Sequence, residues 1–398
     1  MKKNIIIIST IIILVILGII GFNTYNYYKI KNAKINIELI DNLNIEFNTK
    51  VYLSDIIKKI NGTYIDQEIP TTKLGENTIK FNYINDDKIK VSKDIKYNVV
   101  DTIPPFINLP SKYSVIVGSE DNLLKNIMCA DNIDDNPSCS IEGEYNLEEV
   151  GSYPLIFKAV DKSGNETIKE FELIVKEKTK RIYSNNYTDF KTIYNKYKTD
   201  DTKIGLDLSK YQGDVDFKAI KDEGVSFVII RVGTIDAKRN YVKDPKFDEY
   251  IKGALKEDID VGIYFYSYAM DEDEAIRDAK WVIKQIKDYN ITMPVAFDWE
   301  DFGDYNSYKL SFYKLNKIAN AYLNELKSAN YTPILYGSKF YLENVWMNEE
   351  FDTWLAHYTD ETNYTKDYIM WQLCDNGKIN GIKNYVDIDI YYEKGVNK

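Results

Sequence analysis

Four patterns of apolar and polar positions follow one another along the 398 residues. The first is an apolar run of 18 residues, from Ile5 to Phe22, in which only Ser9 and Thr10 are polar. About 20 apolar residues of helix span a bilayer core, so the run predicts a transmembrane helix. Lys2 and Lys3 precede it, and Tyr25, Tyr27 and Tyr28 follow as interfacial aromatics. A cleaved signal peptide would carry a shorter apolar core and a small-residue exit. The second pattern, over residues 35–175, is alternation, as in the half-buried strand Ile168-Lys-Glu-Phe-Glu-Leu-Ile-Val175. The third, 176–201, is polar and aperiodic and reads as a linker, with a short helix at 188–197. The fourth begins at residue 202. Short apolar strands (Ile204–Asp207, Phe227–Val232, Val261–Tyr266, Pro294–Asp298, Pro333–Tyr336, Trp354–His357, Ile369–Leu373) alternate with helical stretches such as Pro245–Lys256, Glu272–Lys287 and Ser307–Ser328. That alternation predicts an α/β barrel with parallel strands. The stretch falls short of the roughly 250 residues typical of eight complete βα units, so the barrel is expected to be irregular.

The alternating region repeats itself. Leu74-Gly-Glu-Asn-Thr-Ile-Lys-Phe-Asn-Tyr83 is echoed by Val150-Gly-Ser-Tyr-Pro-Leu-Ile-Phe-Lys-Ala159, 76 residues later, and a Leu/Ile cluster precedes each copy (Leu53 to Ile60, Leu123 to Ile127). Units of about 70 residues made of short strands predict small β-sandwiches. With Val100-Asp-Thr-Ile-Pro-Pro-Phe-Ile107 and Val160-Asp-Lys-Ser-Gly-Asn165, residues 101–175 resemble the bacterial immunoglobulin-like modules of surface proteins; residues 35–100 do so less closely. The expected architecture is thus a cytoplasmic tip and transmembrane segment (1–28), two immunoglobulin-like modules (35–100 and 101–175), the linker (176–201) and the α/β barrel (202–398). The modules carry no catalytic constellation, and spacing is their expected work. Outside the cell, Cys129 and Cys139 are expected to form a disulfide, with two free thiols as the alternative. Asp131, Asp134 and Asp135 between them read as a solvated acidic turn rather than a calcium loop.

Charge separates the halves further. Residues 1–200 hold 26 Lys and Arg against 27 Asp and Glu; residues 201–398 hold 25 against 35. The acidic balance argues against nucleic acid as a partner. One histidine and three cysteines leave no zinc cluster and no disulfide scaffold, and neither a metal nor a cofactor is expected. Carboxylates and 34 tyrosines are what remain abundant, a pairing suited to carbohydrate.

In such barrels chemistry sits at the C-terminal ends of strands. The expected strands end in Asp207, in Tyr264 and Tyr266, in Asp298-Trp299-Glu300, in Tyr336, in Trp354 and His357, and in Trp371-Gln372; the tail adds Asp387 and Asp389. In a strand, Asp298 and Glu300 point the same way, about 7 Å apart at Cα. Two carboxyls that close hold one proton more tightly, and glycosidic cleavage needs such an acid beside an anion.

The half from Lys203 onward resembles the glycoside hydrolase family 25 lysozymes, N-acetylmuramidases of peptidoglycan. The likeness rests on Gly205-x-Asp207-x-Ser209-x-x-Gln212-Gly213, Pro294-Val-Ala-Phe-Asp298-Trp-Glu300, Ile334-Leu-Tyr336, Trp354-Leu-Ala-His-Tyr358, Trp371-Gln372, Gly381-Ile and Val386-Asp387. It implies hydrolysis of the β-1,4 bond between N-acetylmuramic acid and N-acetylglucosamine. Glu300 would be the general acid/base. Asp298 would orient and charge-stabilise the substrate's acetamido group, or act as nucleophile, and Asp207 and Asp387 would line the site. Tyr264, Tyr266, Tyr336, Trp354, Trp371 and Gln372 are candidate substrate contacts. Two positions depart from the family: Phe265, where many members have His, and Asp389, where Asn is frequent. The implied partners are peptidoglycan, the membrane through residues 5–22 and, as a further candidate, a larger cell-envelope assembly; the implied location is a single-pass cell membrane protein with its catalytic domain outside.

Plainer readings stand beside these. Asp207 could cap the following turn, Asp387 could pair with Arg231, and each aromatic could be core. Trp299 points opposite its neighbours and reads as packing, His357 as a hydrogen-bonding partner, Cys374 as a buried apolar residue, and Asp271-Glu-Asp-Glu274 as favourable charge at a helix N-terminus. A family 25 fold that binds peptidoglycan without cutting it is the competing function. A chitinase-like enzyme is disfavoured, because Met293 and Ala296 stand where two further acids belong.

Overall fold

The computed structural model describes residues 2–179, 186–347 and 350–396, with side chains from residue 12 onward. The chain divides into two compact units, residues 1–103 and 104–398.

In the first unit a helix runs from Lys2 to Lys31. Among the described residues no helix is long and apolar enough to cross a membrane. The expected span, residues 5–22, lies partly outside the described side chains. Beyond the helix, strands order as Asn44–Glu46, Lys90–Val100, Gly75–Asn85 and Gly62–Tyr64 in one sheet, and Ile37–Leu39 pairs with Ile57–Ile60 in a second. Every second residue of Gly75–Asn85 turns inward, and Ile79, Phe81 and Tyr83 meet Leu53 and Ile56 of a one-turn helix in a core of their own.

The second unit opens with the same plan. Lys112–Ile116, Glu166–Lys176, Gly151–Val160 and Ser138–Glu142 form one sheet, Phe106–Ile107 pairs with Cys129–Ala130, and Leu123–Asn126 is the matching one-turn helix. In both copies the first strand of the four-stranded sheet runs parallel to the last (44–46 with 98–100, 112–116 with 172–176). Cys129 and Cys139 are joined by a disulfide. The acidic turn between them is not solvated: Asp131 is fully buried and Asp134 nearly so, because their carboxylates accept hydrogen bonds from neighbouring backbone and from Lys162.

Residues 180–185 of the expected linker lie outside the described residues. Phe190–Tyr197 is helical, and its Phe190 and Ile193 enter the core of the barrel. Eight strands close that barrel: β1 Thr202–Leu208, β2 Phe227–Ile235, β3 Asp260–Tyr266, β4 Val295–Asp298, β5 Pro333–Ser338, β6 Asp352–Ala356, β7 Tyr368–Lys378 and β8 Val386–Val396. β1 to β7 are parallel neighbours; β8 runs antiparallel to both β1 and β7 and seals the sheet. Outside it lie α1 Phe217–Glu223, α2 Phe247–Lys256, α3 Glu272–Ile286, α4 Phe312–Ser328 and α5 Lys339–Asn344. Among the described residues no helix separates β6 from β7 or β7 from β8, which is where the expected irregularity resides. Gly205 on β1 is required by packing, since a Cβ there would meet the Phe227 ring at 2.5 Å. α3 starts where its acidic run stands, with Asp271 capping the Glu274 amide at 2.7 Å. α4 starts later than the periodicity of 307–328 implies: Lys309 takes a left-handed backbone, φ 52°, which interrupts the helix, and Ser311 caps a fresh start.

Candidate active site

Strand alternation decides which side chains enter the barrel. On β4, Ala296 and Asp298 point inward while Phe297 and Trp299 turn to the helices; on β3, Tyr264 and Tyr266 point inward and Phe265 outward. At the C-terminal ends of the strands lies a cleft of about 270 Å³. Asp207, Tyr264, Tyr266, Asp298, Glu300, Tyr336, Trp354, Gln372 and Asp387 all line it, as do Ser209, Tyr211, Gln212, Arg231 and Tyr358. Glu300 reaches solvent at the mouth, whereas Asp298 is buried below it.

The carboxyls here are far from ordinary. Burial is the main cause that lifts Asp298 well above the usual range, and the Glu300 charge adds to it, against the pull of Arg231. Burial also raises Glu300, while its hydrogen bond with Asp298 works the other way. The pair therefore shares a proton that water would have taken from either alone. Asp298 Oδ1 is buried and has no protein partner, an acceptor facing a polar cleft. Asp207 is raised by burial and then by Asp387, Asp389 and Asp298. Asp387 is pushed up to about 7, first by burial and next by Asp375.

Neutral side chains tie this acidic floor together. Gln372 donates to Asp207 Oδ2 at 3.3 Å, and its Oε1 accepts the hydroxyls of Tyr336 (2.9 Å) and Tyr358 (3.1 Å). Trp354 donates to Asp389 Oδ1 at 2.9 Å and packs edge-on against Tyr336. Arg231 is the single cation among the described lining residues; it pairs with Asp244 at 2.7 Å and lies over the Tyr211 ring. Such a site can hold a polar, uncharged ring between aromatic walls and present it with both a proton and an anion.

Residues 206–382 match the model of glycosyl hydrolases family 25. The second half of the chain carries a family 25 glycoside hydrolase domain. Among curated proteins, the autolytic lysozyme of Clostridium acetobutylicum is 26% identical over 48% of this chain, and the alignment spans 56% of that protein, about half its length. The uncharacterised protein YegX of Escherichia coli K12 is 23% identical over 57% of this chain and 83% of its own. Among solved structures, the modular autolysin LytC of Streptococcus pneumoniae in complex with a synthetic peptidoglycan ligand is similar at 23% identity, covering 60% of this chain and 56% of that one, with a TM-score of 0.44.

The family 25 domain also corrects several expectations. Trp371 does not line the cleft. It is the outward neighbour of inward Gln372, is buried beneath the helix Phe190–Tyr197, and donates to the His357 carbonyl. Phe265 is fully buried against Trp281 and does not line the cleft. Asp387 does not take Arg231, which Asp244 already holds, and the turn after β1 is capped by Ser209 with Gln212 rather than by Asp207. Trp299 is core, as its parity requires, and donates to the Ala269 carbonyl. His357 meets the Thr362 hydroxyl at 2.8 Å. Cys374 is buried, and burial pushes its thiol up to about 11. Asp389 is visible in the sequence as a family departure, but its place under the cleft is not. Arg231, Tyr211 and Tyr358 escape the sequence reading as lining residues, although Arg231 and Tyr358 follow apolar strand runs in the same way as the residues that it finds.

Proposed function

We propose that this protein is a membrane-tethered muramidase that hydrolyses the β-1,4 bond between N-acetylmuramic acid and N-acetylglucosamine in peptidoglycan. The observation that carries the reading is the Asp298–Glu300 pair: two adjacent carboxyls at the end of β4, both raised by burial, one at the mouth and one below it with a free acceptor. Glu300, at the mouth, donates its proton to the leaving glycosidic oxygen and later takes one from water. Asp298 places a carboxyl beneath the sugar, where charge develops in the transition state. Asp207, held by Gln372, and Asp387, its cross-strand neighbour, orient the ring. The names of the relatives support the substrate class, since one is an autolytic lysozyme and another an autolysin solved with a peptidoglycan ligand. Substrate assistance and a direct Asp298 nucleophile both fit this arrangement.

The apolar stretch 5–22 is the proposed tether, holding the family 25 domain outside the cell. An acidic enzyme gains no electrostatic attraction to an anionic wall, and a tether supplies the local concentration instead. The deciding experiment is analysis of the ends released from purified peptidoglycan. New muramic-acid reducing ends are expected, and new glucosamine reducing ends would refute the assignment. Glu300→Gln should lower the rate by a factor on the order of 1000 while leaving sedimentation with the wall intact. Equal lysis by both forms would favour a peptidoglycan-binding role over catalysis.

A further inference from the structure

Resting on that hydrolase reading, we propose that residues 122–135 of the second β unit are a working part of the catalytic domain. They clamp the connection between β4 and α4, and Asn306 is the positioning residue through which the clamp holds Glu300.

The connection leaves β4 at the catalytic pair and runs through residues 299–311 without a long regular element. Its first turn is tied to the main chain of Glu300, since the Phe302 amide donates to the Glu300 backbone carbonyl at 2.7 Å. Four residues on, Asn306 is committed to the β unit at both ends of its amide. Oδ1 accepts the Cys129 amide at 2.9 Å; Nδ2 donates to the carbonyls of Leu124 and Ile127 at 2.9 and 2.8 Å. Where the connection enters α4, two of the helix's unpaired first-turn amides find partners in the same unit: Phe312 donates to the Asp131 carbonyl and Tyr313 to the Asn132 carbonyl, each at 2.9 Å. The Asp135 carboxylate takes the Ser311 amide and the Lys314 ammonium. Beneath these bonds Met128 and Ala130 are buried in one apolar cluster with Tyr305, Leu310 and Phe312.

The clamp is itself stiff. Asp131 Oδ1 accepts the amides of Ile133 and Asp134, and the disulfide closes the loop at Cys129 and Cys139. The first β unit supplies an independent observation. There a single residue, Asn61, joins strand Ile57–Ile60 to strand Gly62–Tyr64. At the matching place the second unit has seven, residues 131–137, between Cys129–Ala130 and Ser138–Glu142. Three of the residues that hold the connection, Asp131, Asn132 and Asp135, lie in that longer link.

The test uses the full chain. Asn306→Ala removes the central bonds, and Asp135→Ala is a milder variant that removes only those to Ser311 and Lys314. Lys112→Ala, on an exposed strand of the same unit, is the control. Release of reducing ends is measured across substrate concentration, together with hydrogen exchange of residues 299–312. A positioning role predicts that Asn306→Ala lowers kcat by about tenfold to a hundredfold, leaves KM within about twofold and speeds exchange across 299–312. Asp135→Ala should follow in the same direction with a smaller change, and Lys112→Ala should match the parent. Unchanged kcat in a folded Asn306→Ala protein overturns the positioning role, and unchanged exchange overturns the clamp. Should Asn306→Ala not fold, Asp135→Ala decides on the same two readouts. If the parent chain itself releases no ends, the hydrolase reading fails and the catalytic half of this proposal with it, while the exchange result still decides the clamp.

Discussion

The two β units share a sequence repeat, a strand order and a one-turn helix, yet they end in different situations. The first encloses a core of its own around Leu53, Phe81 and Tyr83. The second keeps such a core around Leu123, Phe157 and Leu173, but also lends Met128 and Ala130 to the core of the barrel. The change is local. The link between the two strands that follow the helix grows from one residue to seven, and the longer link presents backbone carbonyls and a carboxylate to the start of α4. The second β unit thus shares a core with the barrel while keeping the strand order of the first.

The strongest way to break this contrast is truncation. A chain beginning at Pro104 should fold and retain wall-degrading activity within about twofold, because the compact unit is whole. A chain beginning at residue 186 should lose activity by about tenfold or more, or fail to stay soluble, because Tyr305, Leu310 and Phe312 lose their cover. Equal activity of the two would show that the second unit is only a spacer. A finer comparison uses matching core leucines. Leu53→Ala and Leu123→Ala each empty a fully buried site and should each cost about 2–5 kcal/mol in their own unit, read by calorimetry. Only Leu123→Ala should also slow hydrolysis.

The smallest effect concerns pH. Burial raises Asp387 to about 7 and raises Asp389 in the same direction, so from about pH 4 upward the folded domain keeps protons that the unfolded chain has released. Their contribution therefore weakens as pH rises through that range. Asp134 in the second unit behaves oppositely. Burial pushes it up, but bonds from Lys162 and the Asn136 amide prevail and hold it below its usual value, so its contribution is present above about pH 4 and lost as pH falls. Asp389→Asn, which keeps an acceptor for Trp354, should raise the melting temperature at pH 7 by about 2–4 °C and change little at pH 4. Asp134→Asn should lower it at pH 7, and a shift of the opposite sign in either variant would contradict these assignments.

Much of the site is legible because strands obey a period of two. The apolar run up to Asp298, followed by Trp299 and Glu300, puts both acids on one face and the tryptophan on the other. The same parity, applied to Trp371 beside Gln372 and to Phe265 between two tyrosines, removes both from the cleft. What cannot be read are pairings between distant segments. Arg231 can be offered to Asp387 because nothing in the sequence says that Asp244 reaches it first. β8 shows only as a motif, since an antiparallel closing strand breaks the strand–helix rhythm that marks the others. The acidic turn looks solvated because its partners, Lys162, Ser311 and Lys314, lie up to 179 residues away.

That closing strand has a kinetic consequence. β1 carries Asp207 and β8 carries Asp387, and the two are cross-strand partners although 180 residues separate them. Closing so long a loop is entropically costlier than forming any neighbouring strand pair, so the βα units are expected to assemble first and the β1–β8 seam last. Until the seam forms, Asp207 and Asp387 stay apart and in water, each with an ordinary acidity. The raised acidities of Asp207 and Asp387 are then a product of the final folding step.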